Sequence, residues 1–218
     1  MCFETTIDLR DHFQPIRDQG KRGSCLPMSV SAIHEFDLAY KGYLSAEALY
    51  FGAASRMEDW RPFGGIRPSE IAIALEEDGQ PAEKLWPYLS IEVESVDEWP
   101  VPDHLEEVWK SKLDWFKADW NETIRLLKDE APVVAILNIT DSFLKPNPNG
   151  LLLFQPEENP IGCHAVVFVG IGQSNTSDEE ALLIRNSWGD SWGDNGHAWF
   201  SQPLFEQMAA VIGILPNQ

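Results

Sequence analysis

The apolar pattern of this 218-residue chain changes character near residue 130, and this change constrains the fold more than any other feature. Before it, apolar residues recur at helical spacing. After it come short β-branched or apolar runs bounded by Pro, Gly and Asn, which predict strands at Val133–Leu137, Ala165–Val169 and Ala181–Ile184. Helices first and strands later predict an α+β chain with a helical lobe and a sheet lobe.

Four helices are predicted in the first part of the chain. One runs from Cys25 to about Lys41, with Ser24 as its N-cap. A second follows Ser45, and a third runs from Ser69 to about Asp78 and ends at a glycine. The charged, Trp-rich stretch that comes next is predicted to hold an amphipathic helix over 103–129.

The formal net charge of −19 excludes several classes of partner. Nucleic-acid binding requires clustered Lys and Arg, and an anionic membrane surface attracts the same residues. No apolar stretch is long enough to span a bilayer, and no basic segment followed by an apolar run stands near the first residue. We therefore expect no nucleic-acid partner, no membrane partner and no classical signal peptide.

Cysteine usage predicts a reducing compartment. The three cysteines are Cys2, Cys25 and Cys163, and so low and odd a count is not a disulfide framework. We expect a cytoplasmic, bacterial protein, or alternatively an effector exported without a classical signal peptide. An export leader that is cleaved in the native protein would contradict the cytoplasmic version.

Cys25 is placed where a thiol becomes reactive. It follows the predicted cap of a helix, where the macrodipole and unsatisfied N–H groups stabilise an anion. A thiolate there has a lowered pKa and is a better nucleophile at neutral pH. The alternative for Cys25 alone is a small buried apolar residue.

His164 and Asn186 are the candidate partners of this thiol. His164 opens the apolar run that continues with Ala165, and a polar ring there must find a partner or face a cleft. An Asn side chain can accept a hydrogen bond from one imidazole nitrogen and so aim the other at a thiol. Trp188, two residues after Asn186, can shield that bond from water. Each residue alone also fits a structural role.

Three ordered motifs together resemble the papain family of cysteine peptidases. The chain order is Cys, His, Asn, and Cys25 precedes His164 by 139 residues, within the roughly 130–150 typical of the papain type. Weaker similarities lie between the motifs, and the resemblance spans about residues 7–200. The motifs are Gln19-Gly20-x-x-Gly23-Ser24-Cys25, His164-Ala165-Val166 followed by Gly170-x-Gly172, and Asn186-Ser187-Trp188-Gly189-x-x-Trp192-Gly193-x-Asn195-Gly196.

The resemblance implies a two-lobe fold. The N-terminal lobe would be helical, the C-terminal lobe would be an antiparallel β-sheet or barrel, and the active-site cleft would lie between them. Residues 1–218 would form a single papain-like domain, with about 20–130 mainly helical and about 131–218 mainly β. The N-terminal segment 1–19 would cross to the β lobe.

The resemblance also implies a role for each matching residue. Cys25 and His164 would form a thiolate–imidazolium pair oriented by Asn186, with the Gln19 side chain and the Cys25 N–H as oxyanion hole. Such a cysteine endopeptidase acts on protein or peptide substrates and needs no cofactor and no metal; the Cys and His residues are not at ligand spacing either. The residues implied to bind substrate are Gly64, Gly65, Ile136, Ala165 and Trp188.

The sequence departs from the family pattern in three places. The family usually has a disulfide-bonded Cys three residues before the nucleophile, where this chain has Arg22, and a Trp after it, where this chain has Leu26. Cys163 replaces the usual Asp or Asn before the histidine, and we expect a small buried residue there rather than a redox partner. No recognisable pro-segment precedes Ile7, so a separate inhibitor or regulatory protein is a possible partner.

Two other functions remain open on the same residues. A Cys-His-Asn site also serves other acyl transfers, namely deamidation, transglutamination or removal of a small modifier protein, because a fold does not fix a function. A catalytically silent binding module is the second alternative, although Cys25, His164 and Gln19 are all present.

Overall fold

A computed structural model describes residues 3–105, 107–147 and 150–216, so Cys2 lies outside the described residues. The chain divides into two compact units. The β unit consists of Trp115–Ile214 together with the N-terminal residues up to Asp18. The helical unit consists of Gln19–Asp114 together with Leu215 and Pro216.

Three α-helices form the frame of the helical unit: α1 (Cys25–Asp37), α2 (Ala46–Ala54) and α3 (Pro68–Glu77). Helix α1 ends before the predicted position because Ala39 adopts a left-handed φ of 46°, which breaks the helical repeat. Helix α2 begins where predicted, since the Ser45 hydroxyl accepts a hydrogen bond from the third helical N–H at 3.0 Å.

The helix predicted over 103–129 is wrong for most of its length. Among the described residues of this range, helical structure is confined to α4 (Trp120–Lys128), and a short strand, β2 (Asp114–Lys117), precedes it. Trp109 instead exchanges two backbone hydrogen bonds with Gln80, at 2.7 and 2.9 Å, which draws this stretch into extended backbone. The helix starts only at the Asp119 side chain, which caps it.

One seven-stranded sheet dominates the β unit, in the order β2-β7-β3-β4-β5-β6, with β1 paired to β4. The three strands predicted from apolar runs are confirmed as β3, β4 and β5. The described strands form an open sheet that ends at β2 and β6, so of the two expected forms, sheet or barrel, the antiparallel sheet is confirmed. The remaining elements are β1 (Phe3–Asp8), β3 (Val133–Ile139), β4 (Gly162–Ser174), β5 (Glu180–Arg185), β6 (His197–Ser201), α5 (Gln202–Met208) and β7 (Ala209–Ile214).

Strand β4 is central because it pairs antiparallel with β1, β3 and β5. Its pairing with β3 runs from Val133 opposite Phe168 to Ile139 opposite Gly162. Phe168 and Ile171 are fully buried, as expected for a strand covered on both faces. The start of β4, from Gly162 to Val166, is held by its pairing with β3, and β5 joins from Val167 onward. Among the described residues, no helix has the length and apolar character needed to cross a membrane.

Candidate active site

His164 enters the core of the β unit near the start of β4, directly opposite Leu137 of β3. Its side chain is only 4% exposed. The apolar residues that follow it carry β4 into the core, and the ladder to β3 holds the backbone on which the imidazole stands. The ring is therefore placed by the register of a buried sheet rather than by a loop.

Asn186, the first residue after β5, holds this ring through one hydrogen bond. The His164 Nε2 and Asn186 Oδ1 atoms are 2.7 Å apart, and both side chains are buried. An amide oxygen can only accept, so Nε2 carries the proton and Nδ1 is the ring atom suited to proton transfer. The Ser187 N–H also donates to Oδ1, at 2.8 Å, and this second bond fixes which way the amide faces.

Two aromatic rings pack on the His164 imidazole, and a third packs on those two. The Trp188 ring lies 4.4 Å from the imidazole centroid at an interplanar angle of 33°, and Phe143 lies 5.8 Å away in an edge-on arrangement. Trp192 packs against both of these rings. Because both bonded side chains are buried, their hydrogen bond is worth more than it would be in water. Trp188 lies against the imidazole, and its role in shielding the bond stays a prediction.

Burial sets the charge state of the imidazole. It lowers the pKa of His164 to about 4 from an ordinary value of 6.5, and the hydrogen bond to Asn186 opposes this only in part. At neutral pH the ring is therefore neutral unless a negative charge is placed beside it, because a neighbouring anion favours the imidazolium. A thiolate is such an anion.

Ile136 and Ala165 face each other across the β3–β4 ladder. Directly opposed residues of an antiparallel pair point to the same face, so these two can form one apolar wall. Ala165 is buried and Ile136 is half-buried.

Cys163 does not match the expectation of a small buried residue. It is exposed, and its thiol donates to Asn138 Oδ1 at 3.4 Å. The reason is strand alternation at the start of β4: consecutive side chains point to opposite faces, so the strand that buries His164 turns Cys163 outward.

Cys25 is the first residue of α1 in the helical unit and is half-buried. Ser24 stands at the N-cap position, as predicted, but its side chain makes no capping bond. Its hydroxyl instead pairs with the Tyr88 hydroxyl at 2.5 Å. The thiol thus stands at the positive end of the helix dipole, which favours the thiolate.

Gln19 lies close to the same loop, and its side chain is buried. The Gln19 Nε2 atom donates to the backbone carbonyl oxygen of Arg22 at 2.9 Å. The backbone carbonyl oxygen of Gln19 accepts from the Tyr88 hydroxyl, also at 2.9 Å. The bond to Arg22 orients the amide, whose nitrogen is a donor of the kind an oxyanion needs.

Gly65 packs against the loop before the nucleophile. A Cβ on Gly23 would lie 2.6 Å from the Gly65 nitrogen, so the two backbones approach closely only because Gly23 has no side chain. Gly65 itself has a φ of +76°, and Gly64 before it is exposed. Phe63, which sequence reasoning missed, exposes 61% of its surface beside these glycines and also has a positive φ.

Sequence reasoning also missed Phe143 and a buried ionic cluster of Arg22, Glu47 and Glu92. One signal was available for the cluster, because Glu47 is the only charged residue in the otherwise apolar helix α2. Phe143 had no comparable signal. Among the described residues, no group of three or more His, Cys, Asp or Glu side chains is arranged to hold a metal ion.

Comparisons with known proteins all point to the same family. The profile described as papain family cysteine protease matches residues 3–209. The chain is 29% identical over 203 residues to Peptidase 1 of Euroglyphus maynei, covering 89% of this chain and 60% of that protein. It is 22% identical over 216 residues to fruit bromelain of Ananas comosus, covering 96% and 58%. The chain thus spans about three fifths of the length of these curated relatives.

Among solved structures, the fold matches xylellain, a cysteine protease from Xylella fastidiosa, with a TM-score of 0.78 at 21% identity. The match covers 98% of this chain and 86% of that one. The fold is therefore papain-like, α+β with helices and an antiparallel sheet. From the match over nearly its whole length, the chain belongs to the papain family of cysteine proteases.

Proposed function

We propose that this protein is a cysteine endopeptidase that hydrolyses peptide bonds, with Cys25 as nucleophile and His164 as general base and acid. The observation that carries the proposal is the buried hydrogen bond of 2.7 Å between His164 Nε2 and Asn186 Oδ1 in a member of the papain family. This bond selects the tautomer in which Nδ1 can take up the proton of a thiol.

The proposed reaction uses each group in a defined step. The Cys25 thiol transfers its proton to His164, and the thiolate sulfur adds to the carbonyl carbon of the substrate. The tetrahedral intermediate then collapses to an acyl-enzyme while His164 protonates the departing amine. His164 next removes a proton from water, which attacks the acyl group and releases the acid and the free thiol.

In this proposal, the oxyanion of the intermediate is held by the Gln19 amide and the backbone N–H of Cys25. The support is that the bond of Gln19 to the Arg22 carbonyl orients the amide before substrate arrives. Preorganised donors are effective because they need no rearrangement as charge develops, and loss of one lowers kcat by about 100- to 1000-fold.

The substrate is proposed to be an extended protein or peptide. Gly64 and Gly65 would leave its backbone room to approach and form hydrogen bonds. Ile136 and Ala165 would contact an apolar side chain, and Trp188 would shield the reacting groups from water. The exposure of Gly64 and the shared face of Ile136 and Ala165 are consistent with these roles.

The test is to incubate the purified protein with a peptidyl epoxide inhibitor and measure its intact mass, with Cys25→Ala and Cys163→Ala as matched variants. We expect a single adduct that is lost in Cys25→Ala and retained in Cys163→Ala. The exposed Cys163 makes the second variant necessary. A protein that forms no adduct on Cys25 under reducing conditions would contradict an activated nucleophile.

Cleavage of a denatured protein substrate then separates peptidase from other acyl transfer. New amino termini support peptidase action, whereas ammonia release from glutamine without new termini would favour a deamidase or transglutaminase. The cytoplasmic location, the bacterial origin and a separate inhibitor or regulatory protein stay predictions; cell fractionation and affinity capture with inactive Cys25→Ala test the first and the last.

A further inference from the structure

A salt-bridge cluster lies buried in the helical unit directly before the nucleophile. Arg22 bonds to both oxygens of Glu47, at 2.5 and 2.9 Å, and to Glu92 Oε1 at 3.0 Å. The three side chains are 1%, 0% and 2% exposed. Burying three charges is expensive unless every one is paired and hydrogen-bonded.

Further hydrogen bonds and ring contacts surround these three side chains. Glu47 also accepts from the Trp99 indole N–H, at 2.5 Å, and Glu92 accepts from the Tyr50 hydroxyl at 2.7 Å. The guanidinium carbon stands 5.0 and 5.7 Å from the ring centroids of Tyr50 and Trp99. The Arg22 side chain is therefore held in a single geometry from all sides, which a planar guanidinium permits and an ammonium does not.

The same cluster holds the backbone that carries the proposed oxyanion donors. The Gly23 N–H donates to Glu92 Oε2 at 3.3 Å. Tyr88, whose ring also packs on the guanidinium at 4.8 Å, bonds through its hydroxyl to Ser24 Oγ and to the Gln19 carbonyl. The carbonyl of Arg22 itself accepts from the Gln19 side chain. The residues held by these bonds all belong to the segment from Gln19 to Ser24, directly before Cys25.

We propose that Arg22, Glu47 and Glu92 are positioning residues that fix the oxyanion donors, Gln19 Nε2 and the N–H of Cys25, in their catalytic geometry. The inference rests on the proposed function. A buried ion pair contributes little net stability, because the cost of removing its charges from water offsets their attraction. We therefore assign the cluster a role in holding the loop in one geometry.

The proposal predicts a specific kinetic defect. A donor displaced by a fraction of an ångström loses its contact with the transition-state oxyanion, whereas the substrate's remaining contacts persist. Loosening the cluster should therefore lower kcat and leave KM nearly unchanged. The thiolate of Cys25 should keep its reactivity toward reagents that build no oxyanion.

The test variant is Arg22→Lys, which keeps the positive charge but cannot form the forked bonds to two carboxylates. We would measure kcat and KM on a peptide amide, with kcat normalised to titrated active sites, and the rate of Cys25 alkylation by iodoacetamide. We expect kcat per site to fall about 10- to 100-fold, with KM and the alkylation rate within about threefold of the unmodified protein.

A second variant, Tyr88→Phe, removes only the hydroxyl that ties Ser24 and Gln19 and leaves the charges in place. It should lower kcat per site with little change in Tm. The matched control is Gln80→Leu. Gln80 is fully buried in the same unit and bonds to His34, Ser31 and the Ser45 carbonyl. This variant should lower Tm and leave kcat per site unchanged.

The proposal is overturned if Arg22→Lys and Tyr88→Phe keep wild-type kcat per site, or if the alkylation rate falls in proportion to kcat. A wild-type protein that is alkylated but cleaves no peptide would instead contradict the proposed function. The variants are then compared on a nitrophenyl ester, whose hydrolysis forms the same oxyanion in any acyl-transfer enzyme. A wild-type protein inactive on both substrates would overturn both proposals.

Discussion

The two units hold their functional side chains by different physical means. In the β unit, His164 is fixed by strand register, by one hydrogen bond to an uncharged amide and by packing against Trp188 and Phe143. In the helical unit, the loop from Gln19 to Cys25 lies beside three buried charges and the rings around them. The difference shows that a sheet positions a side chain by its ladder, whereas a loop needs side-chain bonds to do the same.

The two units should differ in how well they tolerate the loss of a single side chain. A ladder of backbone bonds survives the loss of one side chain, because neighbouring strands still fix the backbone. A charge cluster does not, because removal of one member leaves the others buried without a counter-ion. We therefore expect the helical unit to be the more sensitive to substitution at its fixed points.

The largest effect should come from removing the reacting groups themselves. Cys25→Ala and His164→Ala should each lower kcat/KM by about 10⁴-fold or more, and the double variant should be no worse than either single one, because groups that act as a unit are not additive. Steady-state kinetics with Cys163→Ala as the unaffected control checks this. Additive losses would show that the two residues serve separate steps.

The next largest effect should separate buried from exposed ion pairs within the helical unit by their contribution to stability. Arg22→Leu leaves Glu47 and Glu92 buried without a counter-ion, which should lower the free energy of unfolding by about 3–5 kcal/mol. The control is Arg56→Leu, which breaks bonds to the largely exposed Glu77 and Asp78 in the same unit and should cost less than about 1 kcal/mol. Urea unfolding followed by Trp fluorescence measures both. Equal losses of unfolding free energy in the two variants would contradict the inference that burial makes the Arg22 cluster the more sensitive one.

Acid should weaken the β unit through His197. Burial, together with the charge of Arg185, lowers the pKa of His197 to about 4 from 6.5. Between these two pH values the imidazole is protonated in the unfolded chain and neutral in the folded chain. The free energy of unfolding therefore falls as the pH drops from about 6.5 to about 4, by roughly 3 kcal/mol in total.

The variant His197→Gln tests this pH dependence. It should reduce the loss of stability between pH 7 and pH 4.5, measured by urea unfolding at both values. Cys163→Ala, in the same unit, should keep the full loss. An undiminished acid sensitivity in His197→Gln would mean that other groups, and not this ring, take up the protons.

A moderate effect is expected from loss of the hydrogen bond between Asn186 and His164 in the β unit. Asn186→Ala removes the acceptor of His164 Nε2, and a hydrogen bond to a group that becomes charged contributes about 1.5–3 kcal/mol. We therefore expect kcat to fall about 10- to 100-fold, with the fold retained because β4 still pairs with its neighbours. A far-UV circular dichroism spectrum beside the kinetics distinguishes loss of orientation from loss of structure.

The smallest effect concerns the helix caps. Asp119→Ala removes the exposed cap of α4 in the β unit and should cost about 1 kcal/mol. Ser45→Ala removes the buried cap of α2, whose hydroxyl also donates to the Trp86 carbonyl at 2.6 Å, so it should cost about 1–3 kcal/mol. Thermal unfolding compares the pair. A costlier Asp119 variant would reverse the order of sensitivity inferred for the two units.

Much of the fold was predictable because its signals are local. The runs that became β3, β4 and β5 are apolar and bounded by turn residues, and the start of α2 follows a serine cap. The helix predicted over 103–129 was wrong over most of its length, because backbone bonds between Trp109 and Gln80, which are far apart in the sequence, override the local helical pattern there. Cys163 was wrongly expected to be buried, since apolar composition does not reveal where a strand emerges into solvent.

The candidate site divides in the same way. The sequence by itself determined which residues have the chemistry: a thiol at a helix start, an imidazole opening a strand and an amide before a Trp, in the order of the papain family. Only the tertiary structure decided that Phe143 joins the rings around His164, and that Arg22, Glu47 and Glu92 meet in one buried cluster. The physical reason is sequence separation: contacts between residues 25 and 70 positions apart follow from packing, which no local pattern encodes.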